Sequence, residues 1–170
     1  MSFQKILIVG SPGSGKSTFA RALREQTGLP LCHLDMLYWN ADRTTVSREV
    51  FDERLQGVLE QESWIIDGNF SRTMERRLQY CDAVFFLDLP AEVCLQGVRR
   101  RIGTKRSDIP WVESGEDAEF MEYIRCFPAE RKPQIVALLQ KYPQVKVTVF
   151  HSHAEMEEYL KNQIKKDLLI

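Results

Sequence analysis

The sequence has no excess of charge of one sign, no long apolar run, and no cysteine spacing of the kind that binds metal. Its 23 basic and 24 acidic residues leave a formal net charge of -1, so no whole-protein attraction to nucleic acid or to an anionic membrane is expected. Any basic patch has to be local. Cys32, Cys81, Cys94 and Cys126 are scattered along the chain, which reads as four reduced thiols. No stretch is long enough to span a bilayer, and the apolar run within Met1–Val9 meets Gly10 before it reaches the length of a secretory leader. There is no internal repeat, low-complexity tract or linker. The expected product is one cytoplasmic domain over residues 1–170, whose 44% hydrophobic content allows a real core.

What is present is an alternation of short apolar runs with longer helical patterns, which predicts parallel strands joined by crossover helices. The runs are Lys5–Val9, Leu31–Leu34, Trp64–Ile66, Ala83–Leu87 and Val145–Phe150. Several are apolar at every position, as expected when helices cover both faces of a sheet. Helices are predicted over Lys16–Thr27, ending at Gly28, over the Val46–Leu59 pattern with Ser47 as cap, and from Pro90 onward. Two more span Glu116–Cys126 and Ala129–Tyr142, broken at Pro128, and a last one spans His153–Leu168, with Met156, Tyr159, Leu160 and Ile164 facing in. Residues Gly103–Asp117 have no such periodicity. An irregular stretch of this length in a compact domain is usually functional or disordered.

The most specific signal is Gly10-Ser11-Pro12-Gly13-Ser14-Gly15-Lys16-Ser17-Thr18, which fulfils G-x-x-x-x-G-K-[ST] between a strand and a helix. Glycines at positions 10, 13 and 15 let successive backbone N–H groups turn inward as an anion nest, and the N-terminal end of the following helix adds to the field. Lys16 is expected on the β- and γ-phosphates of ATP and the Ser17 hydroxyl on Mg2+.

Such loops work with a carboxylate at a strand end that orients the hydrated metal. Asp67 and Asp88 both qualify. Asp67 is preferred because Gly68 lets the chain turn beside the phosphates, whereas Asp88 precedes Leu89-Pro90 and suits a helix start. Asp35 follows Leu31–Leu34 at the carboxyl end of a strand, where open α/β sheets bind ligands. It is either the carboxylate that takes or positions an acceptor hydroxyl or a cap for the next helix. Arg99, Arg100, Arg101 and Arg106 precede the irregular stretch, and Arg125 and Arg131 follow it. That bracketing suits a mobile lid, about residues 99–131, whose arginines reach the transferring phosphoryl group on closure. His33, His151 and His153 form no ligand pattern and are read as structural.

With these motifs in view, the chain resembles the nucleoside-monophosphate-kinase-like branch of P-loop proteins, and within it the adenylate-kinase-related family of DNA topology modulation proteins. The loop at Gly10–Thr18, Leu31–Asp35, Trp64–Phe70, Phe86–Pro90 and Tyr123–Pro133 carry the resemblance. It implies a three-layer α/β/α fold with a five-stranded parallel sheet in order 2-3-1-4-5, a lid, and a base-binding loop near His151–Ala154. Asp67-Gly68 is similar to the Asp-Gly pair of adenylate kinases, and Arg101 falls at one of their lid arginines. Three positions depart. Tyr38 stands where those enzymes hold the monophosphate with an arginine, Gly97 stands at their earlier lid arginine, and Arg72 comes one residue late. Asp35 instead looks like the acidic residue that shikimate and gluconate kinases present to an acceptor hydroxyl.

The expected function is a small-molecule kinase that uses ATP and Mg2+. The acceptor is expected on a small insertion, residues 36–62, through Asp35, Tyr38 and Arg72, with Lys16, Arg101, Arg125 and Arg131 acting on the transferred group. Two alternatives stay open. One is a nucleotide-dependent regulator acting on DNA, as the family name implies, although no helix-turn-helix or aromatic–basic interleaving is present. The other is an ATPase or nucleotide-binding module without transfer.

Overall fold

The computed structural model describes residues 3–167, with side chains to residue 162. Five parallel strands form one sheet in the order β2-β3-β1-β4-β5. The centre is β1 (Lys5–Gly10), β3 (Trp64–Asp67) and β4 (Ala83–Leu87), and the edges are β2 (Leu31–His33) and β5 (Lys146–Phe150). Successive residues of a strand point to opposite faces, and both faces are buried here. Ile6, Ile8, Ile65, Phe85 and Leu87 enter one core with Phe19, Leu95, Met121 and Met156. Those partners come from α1 (Lys16–Thr27), α5 (Ala91–Arg101), α6 (Ala118–Glu130) and α8 (His153–Asp167). Leu7, Val9, Trp64, Ile66, Val84 and Phe86 enter the other core with Phe51, Met74 and Ile135. These belong to α3 (Arg48–Leu59), α4 (Ser71–Leu78) and α7 (Lys132–Gln140). The result is the α/β/α layering that the uninterrupted apolar runs require. Among the described residues no helix is long and apolar enough to cross a membrane.

Local chemistry explains most boundaries. α1 stops at Gly28, whose N–H donates to the Arg24 carbonyl, and Ser47 accepts from the Val50 N–H to start α3. Four expectations need correction. β2 ends at His33, and Leu34–Tyr38 forms a short helix, α2. α6 begins after Asp117, which caps it by accepting from the Phe120 N–H at 3.0 Å. It then runs through Pro128 instead of breaking there, and the break falls at Arg131, with Pro133 in the first turn of α7. A proline inside a helix removes one intrahelical donor, and burial of Ile124 and Phe127 in the turn just ahead of it holds the helix in place. α4 was not anticipated because its inner face carries Thr73 and Arg77 beside Met74 and Leu78, which breaks the apolar period. The inward face expected of Ile164, and the helix end at Leu168, lie outside the described residues.

The irregular stretch is confined to residues 102–117. α6 belongs to the body, since Met121 and Ile124 share the core with α1 and β1.

Candidate active site

The loop after β1 wraps the N-terminal end of α1. Its tightest point is Gly13, at φ 79°, where an added Cβ would lie 2.0 Å from the Cys94 carbonyl of α5. No side chain fits in that space. Gly97, one turn further along α5, meets the same spot from the other side: a Cβ there would stand 2.2 Å from the Gly13 carbonyl. α5 and the loop are therefore in backbone contact. This accounts for glycine at position 97, because an arginine would force the helix off the loop.

Lys16 lies over this loop and donates to the carbonyls of Gly10 and Ser11, both at 2.9 Å. Burial lowers its pKa to about 8, against the pull of Asp67 and Asp35. A cation sunk among carbonyl oxygens, beside a nest of N–H groups, fits an incoming phosphate chain. Asn69 fixes the start of the loop from the other side: its Oδ1 accepts from the Gly10 N–H at 3.0 Å. Behind it, the fully buried guanidinium of Arg77 donates to three successive carbonyls, those of Gly68, Asn69 and Phe70.

The loop opens on a cleft of about 1770 Å³ bordered by Asp35, Trp39, Asp67, Arg101, Trp111 and His153. Asp67, 4% exposed, accepts from His33 Nδ1 at 2.7 Å. Asp88 is elsewhere, paired with Lys132 at 2.6 Å and near His151 at 3.5 Å, and Pro90 holds the cap position of α5. Asp88 is thus neither in the cleft nor a helix cap. Asp35 is not a cap either, since that position of α2 belongs to His33. Burial raises the Asp35 carboxyl above its usual range, with Lys16 pulling it down and Asp67 adding to the rise. Among the described residues its carboxylate makes no hydrogen bond, so it faces the cleft uncommitted.

Other expected residues are placed unevenly. Arg101 borders the cleft and donates to Glu113 at 3.0 Å. Arg125 pairs on the surface with Glu122, and Arg131 lies 5.5 Å from the centre of the Tyr123 ring. Neither borders the cleft. Tyr38 packs edge-on against Trp39, Phe51 and Phe70, and Arg72 forks onto Asp52 of α3 at 2.9 and 2.5 Å. The cleft side of the insertion is made instead by Trp39 and Arg43, with Phe70 from the start of α4 beside them. His153, at the start of α8, is 3.1 Å from the Ser14 carbonyl through Nε2. That brings the 151–154 turn against the phosphate loop.

Sequence reasoning missed Asn69, Arg77, His33 and Asp108. Asp108, in the irregular stretch and 3% exposed, accepts from the Ser17 hydroxyl at 2.6 Å. Burial pushes its carboxyl up, but hydrogen bonds from Arg106 and Ser17 outweigh that and hold it at about 2. Only Arg106, two residues earlier, signalled it. The same stretch reaches the insertion, where Trp111 meets Trp39 edge-on at 5.0 Å and Arg43 donates to the Val112 carbonyl at 3.1 Å.

Among the described residues no group of three or more His, Cys, Asp or Glu could hold a metal unaided. Among the oxygen donors bordering the cleft beside the loop are the Ser17 hydroxyl and the Asp67 carboxylate. Two hard oxygen ligands fit magnesium, which keeps water and phosphate oxygens as its remaining ligands.

No family model and no curated protein sequence matches the chain. Its structure is similar to that of shikimate kinase from Bacteroides thetaiotaomicron, with 21% identity and a TM-score of 0.58 over 99% of this chain and 100% of that one. It is also similar to shikimate kinase from Acinetobacter baumannii, solved in complex with shikimate, with 17% identity and a TM-score of 0.63 over 98% and 94% of the two chains. The fold is that of the P-loop kinases, an α/β/α sandwich on a 2-3-1-4-5 parallel sheet.

Proposed function

We propose that this chain is a small-molecule kinase that transfers the γ-phosphoryl group of ATP to a hydroxyl on a neutral acceptor. The observation that carries the reading is the uncommitted Asp35 carboxylate, facing the same cleft as the Lys16 ammonium. ATP would lie with its phosphates in the Gly10–Thr18 nest, Lys16 leaving the Gly10 and Ser11 carbonyls for phosphate oxygens. Ser17 and Asp67 would hold Mg2+, which when bound neutralises phosphate charge. The acceptor oxygen attacks the γ-phosphorus, the bond to the β-phosphate oxygen breaks, and ADP leaves. Asp35 orients the attacking hydroxyl and takes its proton, a task to which a raised carboxyl pKa is suited. Arg101, Lys105 and Arg106 are the lid cations that border this cleft. For Arg125 and Arg131 to act, α6 would have to move.

The acceptor end argues against a phosphorylated substrate. A doubly charged phosphate is held best by forked arginines, yet Tyr38 is packed among aromatic rings and Arg72 is committed to Asp52. Asp35 would repel an anion placed beside it. Nothing in the balanced charge or the site favours the DNA-directed alternative.

The test is ADP release with ATP and magnesium on two panels, nucleoside monophosphates and neutral hydroxylated metabolites, with shikimate, a hydroxylated carboxylate and the ligand named for a structural neighbour, run apart from both. Turnover is expected on the neutral panel and lost in Asp35→Asn with ATP binding intact. AMP phosphorylation that survives Asp35→Asn and disappears in Arg72→Ala would replace this reading with an adenylate kinase. ADP release that ignores every acceptor would leave an ATPase.

A further inference from the structure

Building on the kinase reading, we propose that Asp108 of the lid is a positioning residue for the metal-binding hydroxyl of Ser17, so that lid closure and metal capture are one event. A serine hydroxyl has one proton and two lone pairs. To ligate a cation well it must give the proton to something else and aim a lone pair at the metal, and partners that impose this orientation tune metal affinity.

In a P-loop site the strand-end carboxylate is the nearest group for that role. Here Asp67 accepts through Oδ1 from His33 Nδ1 at 2.7 Å, and the acceptor for the Ser17 proton is Asp108 Oδ2 at 2.6 Å, 91 residues away in sequence. Asp108 can only accept in this arrangement. Its Oδ1 receives Arg106 Nε at 3.0 Å, and its Oδ2 receives Arg106 Nη2 as well as the serine. Arg106 is held in turn by Glu113 at 2.9 Å, and Glu113 by Arg101 at 3.0 Å. The carboxylate is therefore fixed from behind by a chain of charged groups within the lid, and only its oxygen edge meets the phosphate loop.

Three residues beyond Asp108, Trp111 packs on Trp39 of the acceptor insertion. One short segment thus touches the serine at one end and the acceptor side at the other. With the lid open, Ser17 loses its proton acceptor. With it closed, the serine is set for the metal while the acceptor pocket is covered. The apparent metal affinity of the ATP complex then depends on a residue that itself touches neither metal nor nucleotide.

Manganese binding to the full chain, followed by electron paramagnetic resonance in the presence of a non-hydrolysable ATP analogue, tests this. Asp108→Asn should weaken manganese binding by about 10- to 100-fold and change metal-free analogue binding less than about twofold. In a Ser17→Ala background the same substitution should have no further effect on metal affinity, because the hydroxyl it orients is gone. Wild-type metal affinity in Asp108→Asn, or effects that add in the double variant, would overturn the proposal and leave the contact a structural latch. If Asp108→Asn does not fold, hydrogen exchange decides. Manganese added to the wild-type analogue complex should protect residues 106–112, and Ser17→Ala should abolish that protection; equal protection in both overturns the proposal. Should the wild-type chain bind neither analogue nor metal, the kinase reading falls as well.

Discussion

Asn69 and Gly10 exchange two hydrogen bonds: the Gly10 N–H donates to Asn69 Oδ1 at 3.0 Å, and Asn69 Nδ2 donates to the Gly10 carbonyl at 2.8 Å. A side-chain amide thereby takes the place of a neighbouring strand at the point where β1 leaves the sheet to become the phosphate loop. The Gly10 carbonyl also carries the Lys16 ammonium, so one amide sets both the loop and the resting place of its lysine.

Asn69→Leu keeps the size of the side chain and leaves the Gly10 N–H without its partner. An unsatisfied buried donor costs about 1–3 kcal/mol, and the urea midpoint should fall accordingly. Nucleotide affinity should fall further than stability alone predicts, since the loop loses its anchor. An unchanged dissociation constant for ATP in the folded variant would show that the loop holds its shape without this clamp.

Gly97→Ala should be disproportionately harmful for one methyl group. The added carbon meets a backbone carbonyl 2.2 Å away, which cannot rotate aside, so α5 or the loop must shift. Overpacking of this kind costs about 1–3 kcal/mol. Gly57→Ala, in the last turn of α3 with nothing within 4 Å of its added carbon, is the control, and it should raise stability by up to about 1 kcal/mol. Parallel urea titrations of the two variants give the comparison, and equal midpoints would refute the close contact.

ATP affinity should depend on pH through Lys16. In the free protein its pKa lies at about 8, and contact with phosphate raises it again. Below pH 8 the lysine is already charged and affinity should be flat. Above pH 8 binding must take up a proton, so affinity should fall by up to about tenfold per pH unit. Folding stability has the opposite trend. The unfolded lysine titrates near 10.5, so between pH 8 and 10.5 the unfolded state binds more protons and this group's contribution rises with pH. Calorimetry in buffers of different ionisation heat measures the proton uptake directly, and none at pH 9 would exclude the shifted lysine. Lys16→Met should remove the slope together with most of the affinity.

Much of this was legible from the chain itself. The loop at Gly10–Thr18, the five strands with the central three buried on both faces, and the Gly28 and Ser47 boundaries all follow from local rules. Backbone torsion, capping and apolar period act between residues close in sequence, and a sequence displays them openly. The helix through Pro128 failed for the complementary reason. Local propensity said stop, and packing of Ile124 and Phe127, in the turn just before the proline, into the two cores outweighed the loss of one donor.

Which side chains the fold gathers at the cleft was decided only by tertiary structure. Tyr38 lies within the 36–62 insertion and Arg72 ten residues beyond it, but neighbouring aromatic rings and Asp52 claim them first. Asp108 sits in a stretch with no pattern at all, yet reaches Ser17 across 91 residues. The sequence alone determined a nest able to hold phosphate and the parallel sheet that carries it, because both arise from backbone geometry repeated over a few residues. The partners of each charged group came from tertiary structure, because ion pairs and hydrogen bonds are settled by distance in space, and the chain brings together groups that no spacing rule connects.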